Sequence, residues 1–135
     1  MTLPYCCLPK YADSIDNQEF PTHAVLPGLL LRVDNIVRRE KLYLRTITIK
    51  ELANIVNTKI YILRHHVLNG YGFSHYSEFI NSYRIEAVLH HFHTQGHPLS
   101  LLNIALDHGF SSLTTFNRTF KHFTGLSPRH YLGNL

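Results

Sequence analysis

The chain has 135 residues, 44% of them hydrophobic, and a formal net charge of +4. This length suits one or two small domains with a core of modest size, and the basic balance favours an acidic partner such as nucleic acid without establishing it. No stretch approaches the ~18 apolar residues of a membrane span, and no charged start leads into an apolar run of the kind found in secretory leaders.

Residues 1–28 contain four of the six prolines and show no helical or strand periodicity, which predicts a tail or linker. The two cysteines, Cys6 and Cys7, are adjacent and cannot staple a domain of this size. We therefore expect a chain with free thiols and a cytoplasmic location. The positive charge lies further on, because residues 1–31 carry a net −2 and residues 32–135 a net +6.

From residue 29 to about residue 44 apolar residues recur at helical spacing. They are Leu29, Val33, Ile36 and Val37. The basic residues of this stretch fall outside that stripe, where we expect either a solvated face or non-specific contacts with phosphates. They are Arg32, Arg38, Arg39 and Lys41.

A first helix-turn-helix follows. Thr48 and Glu51 predict a capping box at the start of one helix. Asn57 predicts the turn, since asparagine tolerates a left-handed conformation. The helix after this turn is expected to point three apolar residues inward, namely Ile60, Leu63 and Val67. Its outward positions are Tyr61, Arg64, His65 and Leu68.

A long helix is predicted from about Ser77 to His93, after the glycines at 70 and 72 and before Gly96 and Pro98. Its residues available for packing are Phe79, Ile80, Tyr83, Val88 and Phe92. For Arg84 in this helix, pairing with a carboxylate such as Glu86 or Glu51 and contact with a phosphate are both open.

A second helix-turn-helix occupies residues 99–131. Ser100 caps its first helix, Gly109 ends that helix, and Ser111 or Ser112 caps the next one. The second helix has an apolar stripe at helical spacing, formed by Leu113, Phe116, Phe120 and Phe123. Its opposite face carries hydrogen-bonding side chains, which are Thr114, Asn117, Arg118 and Lys121. In this arrangement the second helix lies in a DNA major groove.

Two stretches resemble one family. IALDHGF-SSLTTFNRTFKHFTGLSPRHY is similar to the C-terminal signature of AraC-type (AraC/XylS) transcription regulators, and GFSHYSEFINSYRI resembles the entrance of their linker helix. The chain departs from the signature at Leu132, where the family usually has arginine. The resemblance implies an all-α fold with two helix-turn-helix units, residues 29–76 and 96–135, joined by a linker helix at 77–95. It also implies double-stranded DNA as the partner, with RNA polymerase as a candidate second partner.

The candidate DNA contacts follow from side-chain chemistry. Arg118 suits guanine, Asn117 suits adenine, and Leu113 at the helix start suits a thymine methyl. Thr114 is a further base-facing candidate, and Lys121 is expected to hold phosphate. The first unit contributes Tyr61, Arg64 and His65, from which we expect affinity and register. The alternatives are a salt bridge between Arg118 and Asp107 and packing of Tyr61 and Leu68 against the N-terminal segment.

Other functions have weaker signals. The chain has 11 histidines, and His93 and His97 have the spacing of two metal ligands on one helix face, but Gly96 and Pro98 interrupt that helix. A histidine-rich metal-binding protein and a helical protein-interaction module remain the alternatives. With no phosphate loop, nucleophile elbow or paired acidic motif, we expect neither an enzyme nor a cofactor. The sensor domain that usually precedes the DNA-binding part in this family is not expected within these residues.

Overall fold

The computed structural model describes residues 27–135, which contain seven α-helices and no β-strand, so the predicted all-α class is confirmed. The helices are α1 (Pro27–Arg39), α2 (Ile49–Ile55), α3 (Ile60–His65), α4 (Tyr76–Gln95), α5 (Leu101–Asp107), α6 (Leu113–Thr124) and α7 (Pro128–Gly133). A 3₁₀ turn spans Leu42–Leu44, and a π-helical turn, His66–Gly70, extends α3. The tail predicted at residues 1–28, including Cys6 and Cys7, lies outside the described residues except for its last two positions.

Helix α4 runs through the centre of the fold. Its 20 residues give a length of about 30 Å. The five packing residues predicted for it are all buried, and Ile85 is buried as well. The helix begins one residue before and ends two residues after the predicted limits, and it stops at Gly96, whose φ of 75° is left-handed.

A polar network fastens α1 to α4. Arg38 donates two hydrogen bonds to Glu86, at 3.1 and 3.0 Å, and its Nε donates to Asp34 at 3.0 Å. The hydroxyl of Tyr83 donates to the same Asp34 carboxylate at 2.8 Å. Burial raises the pKa of Glu86, and Arg38 opposes that shift. The expectation that Arg38 lies on a solvated or phosphate-binding face is therefore wrong. Arg32 is exposed, as expected for a solvated face, and also donates to the carbonyl of Val56 at 2.9 Å.

Aromatic rings join the second half of the chain to the same helix. The ring centroid of Phe92 lies 5.9 Å from Phe120 and 6.3 Å from Tyr131, and these two rings are 5.4 Å apart. Phe116 extends the group, 5.8 Å from Phe120 and 5.3 Å from Phe110. Such ring pairs stabilise a core beyond their buried area, so α6 is held to α4 mainly by apolar contact.

The two helix-turn-helix pairs, α2–α3 and α5–α6, share one turn geometry. Asn57 and Gly109 both adopt left-handed conformations, with φ of 56° and 91°. The next backbone N–H then donates back to a buried alanine carbonyl, from Thr58 to Ala53 and from Phe110 to Ala105, at 2.9 Å in both cases. The predicted turns at Asn57 and Gly109 are thus confirmed, and the hydrogen bonds end α2 and α5 as expected for left-handed caps.

The predicted helix starts are confirmed at three places. Thr48 and Glu51 form the capping box, and the side chains of Ser100 and Ser112 accept from backbone N–H groups three residues on. Two details were wrong. Helix α1 ends at Arg39 rather than near residue 44, because Lys41 turns left-handed with φ of 49°. Ile60 is not inward, since 37% of its surface is exposed.

Candidate nucleic-acid interface

Helix α6 separates a buried side from a polar side. Phe116, Phe120 and Phe123 are buried, as the stripe predicts. The four polar residues predicted for the opposite face are all exposed: Thr114, Asn117, Arg118 and Lys121. Ser112 caps the helix by accepting from Thr115 N–H at 3.2 Å. A capped helix of 12 residues therefore presents a row of hydrogen-bonding groups along its outer side.

These outer side chains have no partners within residues 27–135. No side-chain hydrogen bond or ion pair is formed there by Asn117, Arg118 or Lys121. The alternative salt bridge between Arg118 and Asp107 is therefore not formed. Their donors are therefore available to a ligand without the loss of an interaction in this part of the chain.

Leu113 occupies an intermediate position. Its side chain is half-buried and packs against the core. With Asn117 it lines a cleft of about 710 Å³ whose walls also include Leu102 and Leu132. The part of Leu113 that remains accessible lies at the border between the apolar stripe and the polar face.

On the first pair, two of the three predicted contact residues are exposed. Tyr61 is 65% exposed, and the Nζ of Lys59 lies 5.9 Å from its ring centroid. Arg64 is exposed and has no hydrogen bond or ion pair in the described chain. His65 is half-buried, and its Nδ1 shares a hydrogen bond with the Asn69 amide at 3.0 Å. Tyr61 and Arg64 are thus open to a ligand, whereas the His65 ring is already engaged.

Arg84 lies between the two pairs and does not meet a carboxylate. Its Nε and Nη2 donate to the backbone carbonyls of Tyr43 and Arg45, at 2.7 and 3.1 Å, and its Nη1 donates to Asn81 at 2.9 Å. The suggested pairing with Glu86 or Glu51 is therefore wrong. The sequence held one signal of this, because none of the residues three or four positions away from Arg84 is acidic.

The described residues give no metal site or membrane span. Among residues 27–135 no three His, Cys, Asp or Glu side chains are grouped so that they could hold a metal ion. His93 shares a hydrogen bond with the Tyr131 hydroxyl at 2.7 Å instead of facing His97, which follows the end of α4. Within the same residues no helix is long and apolar enough to cross a membrane.

The fold and this surface define the class: an all-α domain with two helix-turn-helix pairs, the second with a free polar face. The family model described as a helix-turn-helix domain matches residues 52–134. The chain belongs to this helix-turn-helix family, which is of AraC type.

Relatives extend the comparison. Over 66 residues, 48% of this chain, it is 46% identical to uncharacterised HTH-type transcriptional regulators of Staphylococcus aureus strains MSSA476 and MRSA252. That match covers only 8% of the length of those proteins. A solved structure of a protein of unknown function from Listeria innocua aligns with a TM-score of 0.58 and 22% identity, covering 81% of this chain and 98% of the other. This likeness shows the fold alone.

Proposed function

We propose that this chain is a sequence-specific DNA-binding transcription regulator. In this proposal α3 and α6, called the reading helices from here on, enter successive major-groove segments on one face of the duplex. Residues 29–76 and 96–135 form the two DNA-binding units, and residues 77–95 join them. One chain would then do what a dimer of single helix-turn-helix units does elsewhere, with half-sites about 34 Å apart.

The observation that supports it most strongly is the outer face of α6. Asparagine and arginine side chains that are exposed and unpartnered in the described chain match the donor and acceptor pattern of base edges in the major groove. Arg118 is the proposed guanine contact and Asn117 the adenine contact, with Thr114 and Leu113 beside them. Lys121 would hold a phosphate.

We propose a different role for the first reading helix, α3. Arg64 and Tyr61 are exposed on a helix of six residues without a side-chain cap, and His65 is engaged by Asn69. With only Tyr61 and Arg64 of the three open to a ligand, this helix offers few contacts to base edges. We assign Tyr61, Arg64 and His65 to affinity and register, through phosphates more than through bases. The net charge of +6 on residues 32–135 supports such backbone contacts.

Selection from a random DNA pool tests the proposal. We expect enrichment of a site with two conserved half-sites centred about 10–10.5 base pairs apart, and a binding constant that falls steeply between about 50 and 200 mM salt. Enrichment of no sequence, with equal binding to every duplex, would reject specific recognition. No binding to DNA at low salt would favour a protein-interaction module instead, and stoichiometric uptake of divalent ions would favour the metal-binding alternative.

A further inference from the structure

The junction between the two pairs is built around one backbone atom, the carbonyl oxygen of Tyr43. This residue lies in the 3₁₀ turn that follows α1, so it belongs to the first half of the chain. The oxygen accepts from Arg84 Nε on α4 at 2.7 Å. A β-carbon at Gly109 would collide with the same oxygen and with Arg84 Nε. The turn of the second pair therefore sits directly on the contact between α4 and the first half.

Arg84 makes this junction directional. Its guanidinium bonds two carbonyls of one turn, Tyr43 and Arg45, and its third bond to Asn81 fixes the plane of the group. The guanidinium carbon also lies 5.7 Å from the ring centroid of Phe110. A planar fork of donors holds such an arrangement in one orientation, which a lysine ammonium cannot do.

The surroundings indicate a geometric role rather than charge neutralisation. No carboxylate pairs with Arg84 among the described residues, and burial lowers its pKa. The turn it binds is itself held in place, because the Tyr43 ring stacks on Tyr83 with centroids 6.0 Å apart and planes at 12°. Only three residues separate Gly109 from Leu113, the start of α6. A fixed position for this turn thus fixes the start of the second reading helix.

We propose that Arg84 is a positioning residue that sets the separation and rotation of the two reading helices, and thereby the half-site spacing that the protein accepts. This inference rests on the proposed function. One added base pair moves a half-site by about 3.4 Å and rotates it by about 35° around the duplex. If the junction is rigid, the two reading helices cannot adjust to the altered spacing and the affinity falls. If it is loose, they can adjust and the affinity is kept.

The test uses the site recovered by selection, with one base pair added or removed between its half-sites. Wild type should bind the original spacing at least about tenfold more tightly than either altered spacing, a loss comparable to that of a mismatched base pair. Arg84→Lys should reduce that preference to about threefold or less. Arg45→Ala is the matched control, since it removes a neighbouring side chain but leaves the Arg45 carbonyl in place, and it should keep the wild-type preference.

A second readout needs no DNA. Spin labels at Tyr61→Cys and Thr114→Cys, with Cys6 and Cys7 replaced by serine, report the distance between the reading helices. We expect one narrow distance distribution with Arg84 and a broadened one with Arg84→Lys. Should Arg84→Lys fail to fold, Asn81→Ala removes the bond that orients the guanidinium and takes its place in both measurements.

The outcomes separate the two proposals. An equal loss of affinity at every spacing, with an unchanged label distribution, would overturn the positioning role and leave the DNA-binding function standing. Failure of the wild type to select any sequence would reject the proposed function, and the label distances alone would then decide whether Arg84 fixes the two helices.

Discussion

The two helix-turn-helix pairs have the same turn but are attached to α4 by different balances of polar and aromatic contacts. The first half combines a polar network, Arg38, Asp34 and Glu86 with Tyr83, with aromatic contacts of Tyr71 and Phe73 on Phe79. The second half is fastened mainly by aromatic rings around Phe92 and Phe120, and its polar contacts with α4 include a hydrogen bond of Tyr131 and a 3.4 Å contact of His122 with Glu78. A turn geometry therefore does not determine how a unit is anchored.

The two reading helices also differ from each other, in length and in capping. Helix α6 has 12 residues and a serine cap, whereas α3 has six, lacks a side-chain cap and continues into a π-helical turn. The serine cap and the longer polar face occur together in the second half. We expect this half to provide sequence choice, and the predictions below test that difference.

The largest expected effect is on the turn of the second pair. Gly109→Ala combines a left-handed conformation with a collision at the Tyr43 carbonyl, so we expect a loss of about 3–4 kcal/mol in the free energy of unfolding. Gly125→Ala is the matched control, because Gly125 has φ of 81° but open space around its Cα. This substitution should cost about 1 kcal/mol, the strain of a β-carbon in a left-handed conformation. Urea denaturation measures both, and equal losses would show that the junction is not tightly packed.

The second largest expected effect is on the polar network that holds the first half to α4. Arg38→Ala leaves the mostly buried Glu86 carboxylate without its main partner, so we expect a loss of about 2 kcal/mol in stability. The neighbouring Arg39 pairs with Glu40 on the surface, with 72% of its side chain exposed. Arg39→Ala should therefore change stability by about 0.5 kcal/mol or less. Similar values for both variants would remove the contrast between a buried and a surface pair.

The two halves should contribute unequally to DNA recognition. Arg118→Ala is expected to weaken binding to the selected site by about 2 kcal/mol and to relax base preference at one position. Arg64→Ala should weaken binding by about 1 kcal/mol, evenly across sequences. Quantitative binding to the selected site and its single-base variants measures both. Equal binding by Arg118→Ala and wild type on the selected site would exclude Arg118 as a base contact, and unchanged melting temperatures would confirm that neither change unfolds the chain.

The smallest expected effect is on the pH dependence of stability and involves His108. Burial lowers the pKa of His108 below its usual 6.5, and the nearby His91 adds to this, while the bond to the Ile104 carbonyl opposes it. The unfolded chain then takes up the proton more readily. The stabilisation is complete above pH 6.5 and is lost as the pH falls through the lowered pKa. His108→Gln should therefore lose less melting temperature than wild type between pH 7.5 and pH 5, and an identical loss would contradict this role.

Periodicity and capping residues predicted most of the helices because both act locally. The buried stripe of α6 and the cap at Ser112 follow from spacing and side-chain type alone. Spacing marks the local partners of Arg38 and Arg84, Asp34 and Asn81. It could not predict the partners that join these arginines to other elements, because those lie 48 and 41 residues away along the chain. The distant acceptors of Arg84 are backbone carbonyls, which no residue pattern marks.

At the candidate site, local spacing likewise predicted which side chains are exposed, with one exception. Helical phase predicted that Thr114, Asn117, Arg118 and Lys121 face outward, and they are exposed. Leu113 could not be assigned by phase, since it lies where the two faces of α6 meet and shares both environments. Contact of any of these residues with DNA stays a prediction.

The division of α6 into two faces has a consequence for redesign and for divergence. Its phenylalanines provide the aromatic packing against α4, and Thr114, Asn117, Arg118 and Lys121 make no side-chain hydrogen bond or ion pair within residues 27–135. Substitutions at Asn117 or Arg118 can therefore accumulate with little effect on stability. New target preferences could be grafted onto this scaffold by exchanging those outer residues while the phenylalanines are kept.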